Sequence, residues 1–243
     1  MNRQTDQHDE TVVFTYDWYS EFLDRVRAAG YEFASFDDDV GEGQVLLRHD
    51  VDLSLEAAVE MARLEANRGV QATYCVMLSS PLYNPIEGPW RDAIRTIDAL
   101  GHEVGLHFST HEYWSERARP DSARIARRVG IERSILDTVA RTLSNAVSFH
   151  IPPDWVLGQS FEAFKSTYAA DVFEEVGYVA DSGCRWRTDP PVVEEFPETV
   201  QILTHPGLWG ETDNTFENRV EQRVCEANTH ASRKARGEFL DDA

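Results

Sequence analysis

Two histidines, His107 and His111, stand four residues apart in the segment GHEVGLHFSTH. On a helical turn or in a tight loop this spacing lets both imidazoles converge on one point, as a pair of metal ligands does. The alternative interpretation is a solvated helix face or a hydrogen-bonded polar pair. Two imidazoles alone make a weak site, and a divalent ion in an enzyme usually takes a carboxylate as third ligand and keeps one position open for water.

The candidate carboxylates lie upstream, in the segment VLLRHDVD. Asp50 and Asp52 are separated by one residue at the end of an apolar run, so on a strand both side chains point to the same face. An Asp-x-Asp pair is otherwise a loop start or a helix cap. Both this pair and the histidine segment follow strand-like runs, where α/β folds place their chemistry, and together they favour a metal site.

Strand-like and helix-like segments alternate along the chain, which predicts parallel β/α units. Helical spacing of apolar residues predicts helices over 14–29, 54–69, 90–100, 121–143 and 161–176. Apolar runs predict strands over 31–36, 45–52, 70–78, 146–150, 177–181 and 200–203. We expect one α/β barrel-like domain over 1–243, with a polar C-terminal extension over 211–243 that packs loosely.

Composition limits the classes of protein to which the chain can belong. Hydrophobic residues make up 42% of the 243 residues, and no apolar run approaches the roughly 20 residues of a membrane span. The first ten residues are polar and contain no apolar signal core, so we expect a cytoplasmic protein. The three cysteines lack metal-site spacing and indicate reduced thiols.

Charge is the strongest compositional signal. There are 43 acidic against 23 basic residues, giving a formal net charge of −20, and only Lys165 and Lys234 are lysines. Excess carboxylate with arginine preferred to lysine is typical of proteins from a salt-rich cytoplasm, so we infer a halophilic source; the alternative is an acidic mesophilic protein. A surface for nucleic acid or for an anionic membrane is disfavoured, since no basic patch is present to bind phosphates.

Five segments, read in order, resemble the motifs of the polysaccharide deacetylase superfamily of carbohydrate esterase type: RHDVD, GHEVGLHFSTH, SFHIPP, YVADSGCRWR and ILTHPGLWG. The resemblance runs from about Val45 to Gly210. The RHDVD start is similar to a divergent branch found with surface-glycan gene clusters. The resemblance implies a distorted (β/α) barrel of about seven parallel strands and one divalent ion of zinc type, held by one aspartate and two histidines.

Carried over onto this chain, the resemblance makes His107 and His111 the two metal histidines. The family usually has two adjacent aspartates, a base followed by a ligand, whereas here Val51 intervenes. The ligand role then moves to Asp52 and the base role to Asp50. The reverse assignment, with Asp50 on the metal and Asp52 capping the following helix, stays open.

The other motifs imply further roles. Where many family members have an arginine that steadies the base, this chain has His150, as a substitute or as a solvent-facing residue. Asp181 matches the acid that orients the final histidine, His205, although it could also cap a strand end. Three tryptophans lie beside the motifs and could stack on a sugar ring or pack in the core: Trp155, Trp186 and Trp209.

This residue set supplies a base, a Lewis acid and a general acid. A divalent ion lowers the pKa of bound water to about 7 and polarises a carbonyl. Asp50 can take a proton from water, and His205, kept protonated by Asp181, can give one to a leaving amine. The sequence therefore predicts a metal-dependent hydrolase that removes an N-acyl group, foremost N-acetyl, from an amino sugar or glycan precursor. The alternatives are a deformylase or cyclic-amide hydrolase on the same scaffold, and a catalytically silent sugar-binding module.

The charge excess generates a first prediction. Repulsion among the carboxylates is screened over about 3 Å at 1 M salt but over about 30 Å at 0.01 M, so the melting temperature should fall sharply as salt is removed. Thermal unfolding followed by circular dichroism in multimolar and in dilute potassium chloride measures this change. A melting temperature that is the same in both would contradict the halophilic source.

Overall fold

The structure, a computed structural model, describes residues 11–115 and 118–240. Its strands are β1 Glu32–Ala34, β2 Gln44–Val51, β3 Thr73–Met77, β4 Glu103–Ser109, β5 Leu143–His150, β6 Lys165–Ser166, β7 Gly177–Ala180 and β8 Thr199–Thr204. Its α-helices are α1 Tyr16–Ala28, α2 Leu55–Ala66, α3 Gly88–Ala99, α4 Ser122–Asp137, α5 Ala170–Phe173 and α6 Phe216–Phe239.

The strands form one parallel sheet in the order β6-β5-β4-β3-β2-β8-β7, and β1 also pairs with β2. These seven strands curl into a half-barrel with helices, and the barrel stays open between β6 and β7. The predicted α/β fold with about seven parallel strands is confirmed. Because the strands are parallel, their carboxyl ends meet at one edge of the sheet, where α/β proteins place their sites.

Local sequence explains where the elements begin and end. The Ser54 hydroxyl accepts a hydrogen bond from the Ala57 amide at 3.1 Å and caps the start of α2. Helix α1 is capped in the same way by Thr15, and Gly30, at a φ of +96°, turns the chain out of this helix towards β1. Both helices lie within the ranges that apolar spacing predicts.

Strand β2 separates two different environments. Leu47 and Val51 pack in the core under the helices, whereas Arg48 and Asp50 point to the other face, into the barrel. His49 points to the helix side, where its Nε2 lies 2.8 Å from a carboxylate oxygen of Glu65. The alternation of a single strand thus places charged groups on both of its buried faces.

Glu65, at the end of α2, is fully buried and collects hydrogen bonds from three elements. It accepts from the Tyr19 hydroxyl at 2.5 Å and from the Tyr74 hydroxyl at 2.7 Å, in addition to its contact with His49. Burial by itself would raise the pKa of Glu65, but the neighbouring His49 and the other partners lower it overall. Glu65 is therefore an ionised, satisfied carboxylate in the core.

The helix predicted over 161–176 is largely absent. The chain instead forms the short edge strand β6, which pairs with β5, and only four residues, α5, are helical. The Thr167 hydroxyl accepts a hydrogen bond from the buried Arg48 at 2.6 Å, and the Tyr168 hydroxyl accepts another at 2.9 Å. The need to satisfy this arginine and to extend the sheet outweighs the helical spacing of the apolar residues.

The polar C-terminal extension contains α6, a helix of 24 residues. Its first half packs on the turn over Pro206–Leu208, where the buried Arg219 donates to the Leu208 carbonyl at 3.0 Å. The last ten residues of the described chain, 231–240, are all exposed. None of the helices within 11–115 and 118–240 is long and apolar enough to cross a membrane.

Candidate active site

Three potential metal ligands meet at the carboxyl end of the sheet: Asp52 after β2, His107 on β4 and His150 at the end of β5. Asp52 Oδ1 lies 2.9 Å from His107 Nε2 and 3.2 Å from His150 Nδ1, and the two ring nitrogens are 3.3 Å apart. We call this group the ligand triangle. It is the only group of three or more such side chains with metal-site spacing among the described residues.

The dimensions of the triangle fit one face of a metal tetrahedron. Ligand atoms held 2.0–2.1 Å from a tetrahedral zinc ion lie about 3.3–3.4 Å from one another, close to the observed separations. One carboxylate and two imidazoles also make a typical catalytic ligand set, which leaves the fourth position for water or substrate. Burial would raise the pKa of Asp52, but His107 and His150 lower it overall, so this ligand is ionised.

Hydrogen bonding assigns the tautomer of His107. The Ser148 hydroxyl donates to Asp50 Oδ2 at 2.9 Å, which uses its only hydrogen. Ser148 can therefore only accept from His107 Nδ1, 3.1 Å away, so the ring hydrogen sits on Nδ1. The lone pair of Nε2 then faces the triangle, in the orientation that a metal-binding histidine needs.

Asp50 lies beneath the triangle and is 2% exposed. Its Oδ2 is fixed by the Ser148 hydroxyl and by Arg48, whose Nη2 is 3.1 Å away. Its Oδ1 is buried, lies 3.7 Å from His107 Nδ1, and has no hydrogen-bond partner within the described chain. One oxygen is thus held in place while the other is free to accept a proton.

Arg48 is the functional residue that the sequence interpretation missed. It is fully buried and donates to Asp50, Thr167, Tyr168 and Gln201, so Arg48, and not His150, is the side chain that holds the Asp50 carboxylate. The signal was present, because Arg48 stands two residues before Asp50 and so shares its strand face.

His205, at the end of β8, is paired with the fully buried Asp181, which follows β7. Asp181 accepts from His205 Nδ1 at 2.6 Å, from the His205 amide at 3.0 Å and from the Trp209 indole at 2.9 Å. Burial would lower the pKa of His205, but Asp181, with Asp52 and Asp50 farther away, raises it to about 9. The imidazolium is the stable form at neutral pH, and its Nε2 lies 3.9 Å from Asp52 Oδ2.

The structure places His111 outside the triangle. Strand β4 ends at Ser109, and a single 3-10 turn over Thr110–Glu112 carries His111 outward. Its exposed ring lies 3.1 Å from the Ile151 carbonyl oxygen and does not approach the ligands. Because the chain between His107 and His111 is strand rather than helix, the four-residue spacing does not converge, and His150 takes the predicted place of His111.

The stacking role predicted for the tryptophans is not available to two of them. Trp186 and Trp209 are 1% and 0% exposed and pack with Phe14, Trp18 and Phe22 under the sheet. Trp209 instead holds Asp181. Trp155 is half-buried, packs against the core and does not line the cavity beside the triangle.

The alternative in which Asp52 caps the following helix does not match the structure, because Ser54 is the cap of α2. The Asp52 carbonyl accepts a hydrogen bond from the Ser80 hydroxyl at 2.9 Å, which ties this residue to the loop after β3. The side chain of Asp52 therefore takes part in the triangle, and the side chain of Asp50 pairs with Arg48.

No protein-family model and no curated protein sequence matches the chain. Among solved structures, it is similar to a CE4-family pseudoenzyme from Bacillus anthracis, with 14% identity and a TM-score of 0.42 over 76% of this chain and 60% of that one. It is also similar to a family 4 acetyl xylan esterase from Clostridium thermocellum in complex with cobalt, with 19% identity and a TM-score of 0.43 over 75% and 83% of the two chains. A Streptococcus pyogenes deacetylase in complex with acetate matches at 12% identity, with a TM-score of 0.45 over 91% and 92%.

The triangle generates a prediction about metal binding. His107→Ala, His150→Ala and Asp52→Ala should each weaken zinc binding at least ~100-fold, because changes around a metal ligand alone cost 10–100-fold. His111→Ala is the matched control and should keep the affinity of the native chain. Zinc titration against a competing chromophoric chelator measures all four. Loss of zinc in His111→Ala together with its retention in His150→Ala would contradict the ligand set.

Proposed function

We propose that the chain is a metal-dependent hydrolase that removes an N-acyl group from an amino sugar or glycan precursor. The observation that carries the proposal is the placement of a base and an acid around one ligand triangle. The free Oδ1 of Asp50 lies beneath it, and the protonated Nε2 of His205 lies beside it. This arrangement contains each group that amide hydrolysis requires.

Asp52, His107 and His150 are the residues that would hold the ion. When bound, a divalent ion supplies Lewis acidity towards the scissile carbonyl and makes nearby water more acidic. Zinc suits a ligand set of one carboxylate and two imidazoles. The halophilic source stays a prediction, supported by the excess of 43 acidic over 23 basic residues, and the cytoplasmic location stays a prediction as well.

The side chains divide the proton transfers. Asp50 Oδ1 accepts the proton of the attacking water, while Arg48 and Ser148 fix the other oxygen and keep the carboxylate aimed. His205 Nε2 donates a proton to the leaving nitrogen as the carbon-nitrogen bond breaks. Asp181 holds His205 through Nδ1, so that Nε2 faces the reaction.

The two alternatives lead to different products. A deformylase or cyclic-amide hydrolase would use the same groups on another amide. Burying a carboxylate oxygen without a partner costs stability, and a silent sugar-binding module would have no use for such an atom, whereas a general base does. The described residues keep both the base and the acid, which supports the enzyme.

The proposal is tested by acid release from neutral N-acyl and N-formyl glucosamines, with zinc and after chelation. We expect release of a carboxylic acid that requires the metal, and Asp50→Asn should reduce kcat at least ~10²-fold, the usual effect of losing a general base. The exposed Asp39→Asn is the matched control and should behave as the native chain.

Metal content and thermal unfolding of Asp50→Asn show whether the variant still folds and binds zinc. Release of formate alone would identify a deformylase. Binding of these sugars without any release would identify a silent module.

The raised pKa of His205 predicts that the activity is lost at alkaline pH. Because the folded pKa lies above the ordinary 6.5, protonation is favoured, and kcat should fall as the pH rises through about 9. Asp181→Asn removes the group that raises the pKa of His205 most, so the pH at which kcat falls should move from about 9 towards 6.5. Asp189→Asn, on an exposed position of the same segment, is the control. Profiles of kcat against pH that coincide for all three proteins would remove His205 from the acid role.

A further inference from the structure

A cavity of about 580 Å³ extends from the ligand triangle towards the open side of the barrel, between β6 and β7. Asp50, His107 and His205 border it at the reaction site. The rest of its wall is mainly apolar and comes from segments outside the five motifs as well as from within them. This volume is that of a pocket for a whole small molecule.

Three aromatic rings close the open side of the barrel. Phe173, on α5, packs edge-on against Tyr168 at 5.2 Å and against Tyr178, on β7, at 4.8 Å between ring centroids. The Tyr168 hydroxyl is already used by Arg48, which also lies over the ring. Burial raises the pKa of both tyrosines, so they stay neutral. This wall of the cavity is therefore made of aromatic carbon atoms.

Two aliphatic side chains continue the apolar wall next to these rings. Leu203 lies on β8, two residues before His205, and Leu157 follows the 3-10 turn over Asp154–Val156. Leu157, Phe173 and the ring of Tyr178 face the cavity with apolar surface and are only half-buried. Apolar surface left open in a pocket of this size indicates a ligand that covers it.

The cavity offers few groups to a polar ligand. Among the residues of the described chain that line it, none is lysine, arginine, asparagine or glutamine. Its polar side chains are the groups of the proposed reaction, together with Ser182 and the two tyrosines. Apart from the His205 imidazolium and the ion proposed for the triangle, the wall has no cation that could pair with a phosphate, which argues against a nucleotide-linked sugar inside the cavity.

The apolar wall and the scarcity of polar groups decide which part of an N-acyl sugar enters the cavity. A sugar ring carries several hydroxyls, and each would lose its water without gaining a partner on the apolar wall. A hydrocarbon chain has no polar atom to satisfy and gains from every CH₂ buried. The sugar is therefore left at the mouth, where Ser182 and the exposed Phe216 lie, and the acyl chain is the part that fits inside.

Resting on the proposed hydrolase function, we infer that the substrate carries an acyl chain of medium length, longer than acetyl, that lies against Leu157, Phe173, Tyr178 and Leu203. The acyl group keeps its carbonyl at the ligand triangle and extends towards the open side of the barrel. The leaving amine faces His205 and the solvent.

The test compares N-acetyl, N-butanoyl, N-hexanoyl and N-octanoyl glucosamine as substrates of the zinc-loaded chain. Each CH₂ that enters an apolar site favours binding about fourfold. We expect kcat/KM to be at least ~10-fold higher for octanoyl than for acetyl, because a part of this gain is realised in the transition state.

A variant narrows the cavity directly. Leu157→Trp fills the space along the wall and should reduce the octanoyl-to-acetyl ratio of kcat/KM at least ~10-fold. Ile135→Trp, an exposed position on α4 that does not line the cavity, is the matched control and should leave that ratio as it is in the native chain.

Binding is measured separately from turnover, by calorimetry with N-ethyl and N-octyl glucosamine, which carry the same charge and have no carbonyl to hydrolyse. Turnover with acetyl preferred to octanoyl overturns the chain-length inference and leaves the hydrolase standing. Absence of turnover, with tighter binding of the octyl compound that Leu157→Trp abolishes, overturns the hydrolase and supports the apolar ligand. Absence of turnover with equal binding of both compounds overturns both.

Discussion

The ion pair between Arg48 and Asp50 is the constraint on which the site depends. Both side chains are buried inside the barrel, where a charge without a partner would be strongly destabilising. The arginine also donates to Gln201 on the neighbouring strand β8 and to Thr167 and Tyr168, which follow β6 at the far edge of the sheet. The chain after β5 must therefore reach Arg48, and this need shapes the open side of the barrel and its cavity.

On the other face of β2, the side chain of His49 is also held on both sides. His49 lies between Glu65 and the Thr204 hydroxyl, which is 2.6 Å from its Nδ1. Thr204 directly precedes His205, as His49 directly precedes Asp50. One buried network on the helix side of the sheet thus links β2, which carries the proposed base, to β8, which leads to the proposed acid. This link fixes the distance between the base and the acid.

Asp50, on β2, and Asp52, directly after it, differ because their surroundings differ. Asp50 is immobilised through one oxygen and keeps the other without a partner, which suits a proton acceptor. Asp52, one step further along the strand direction, is partly exposed and lies among imidazoles, which suits a ligand. One intervening residue, Val51, is enough to separate them because a strand advances by about 3.3 Å per residue.

The sequence by itself determined the alternation of strands and helices, the shared face of Asp50 and Asp52, and the order of the motifs. These features depend on periodicity and on local turn chemistry, which neighbouring residues carry. The pairing of Asp181 with His205 was also predicted, on the basis of motif resemblance, and the structure places the two side chains in contact.

Only the tertiary structure decided which side chains meet across the barrel. His150 joins His107 because β5 lies beside β4 with Ser109 opposite His150, whereas the turn after β4 directs His111 away. Likewise, Trp186 and Trp209 pack in the aromatic core. Tyr168 lies in the barrel and not in a helix, because its hydroxyl accepts a hydrogen bond from the buried Arg48. Strand register and the satisfaction of buried charge act between residues far apart in the chain, so no local pattern contains them.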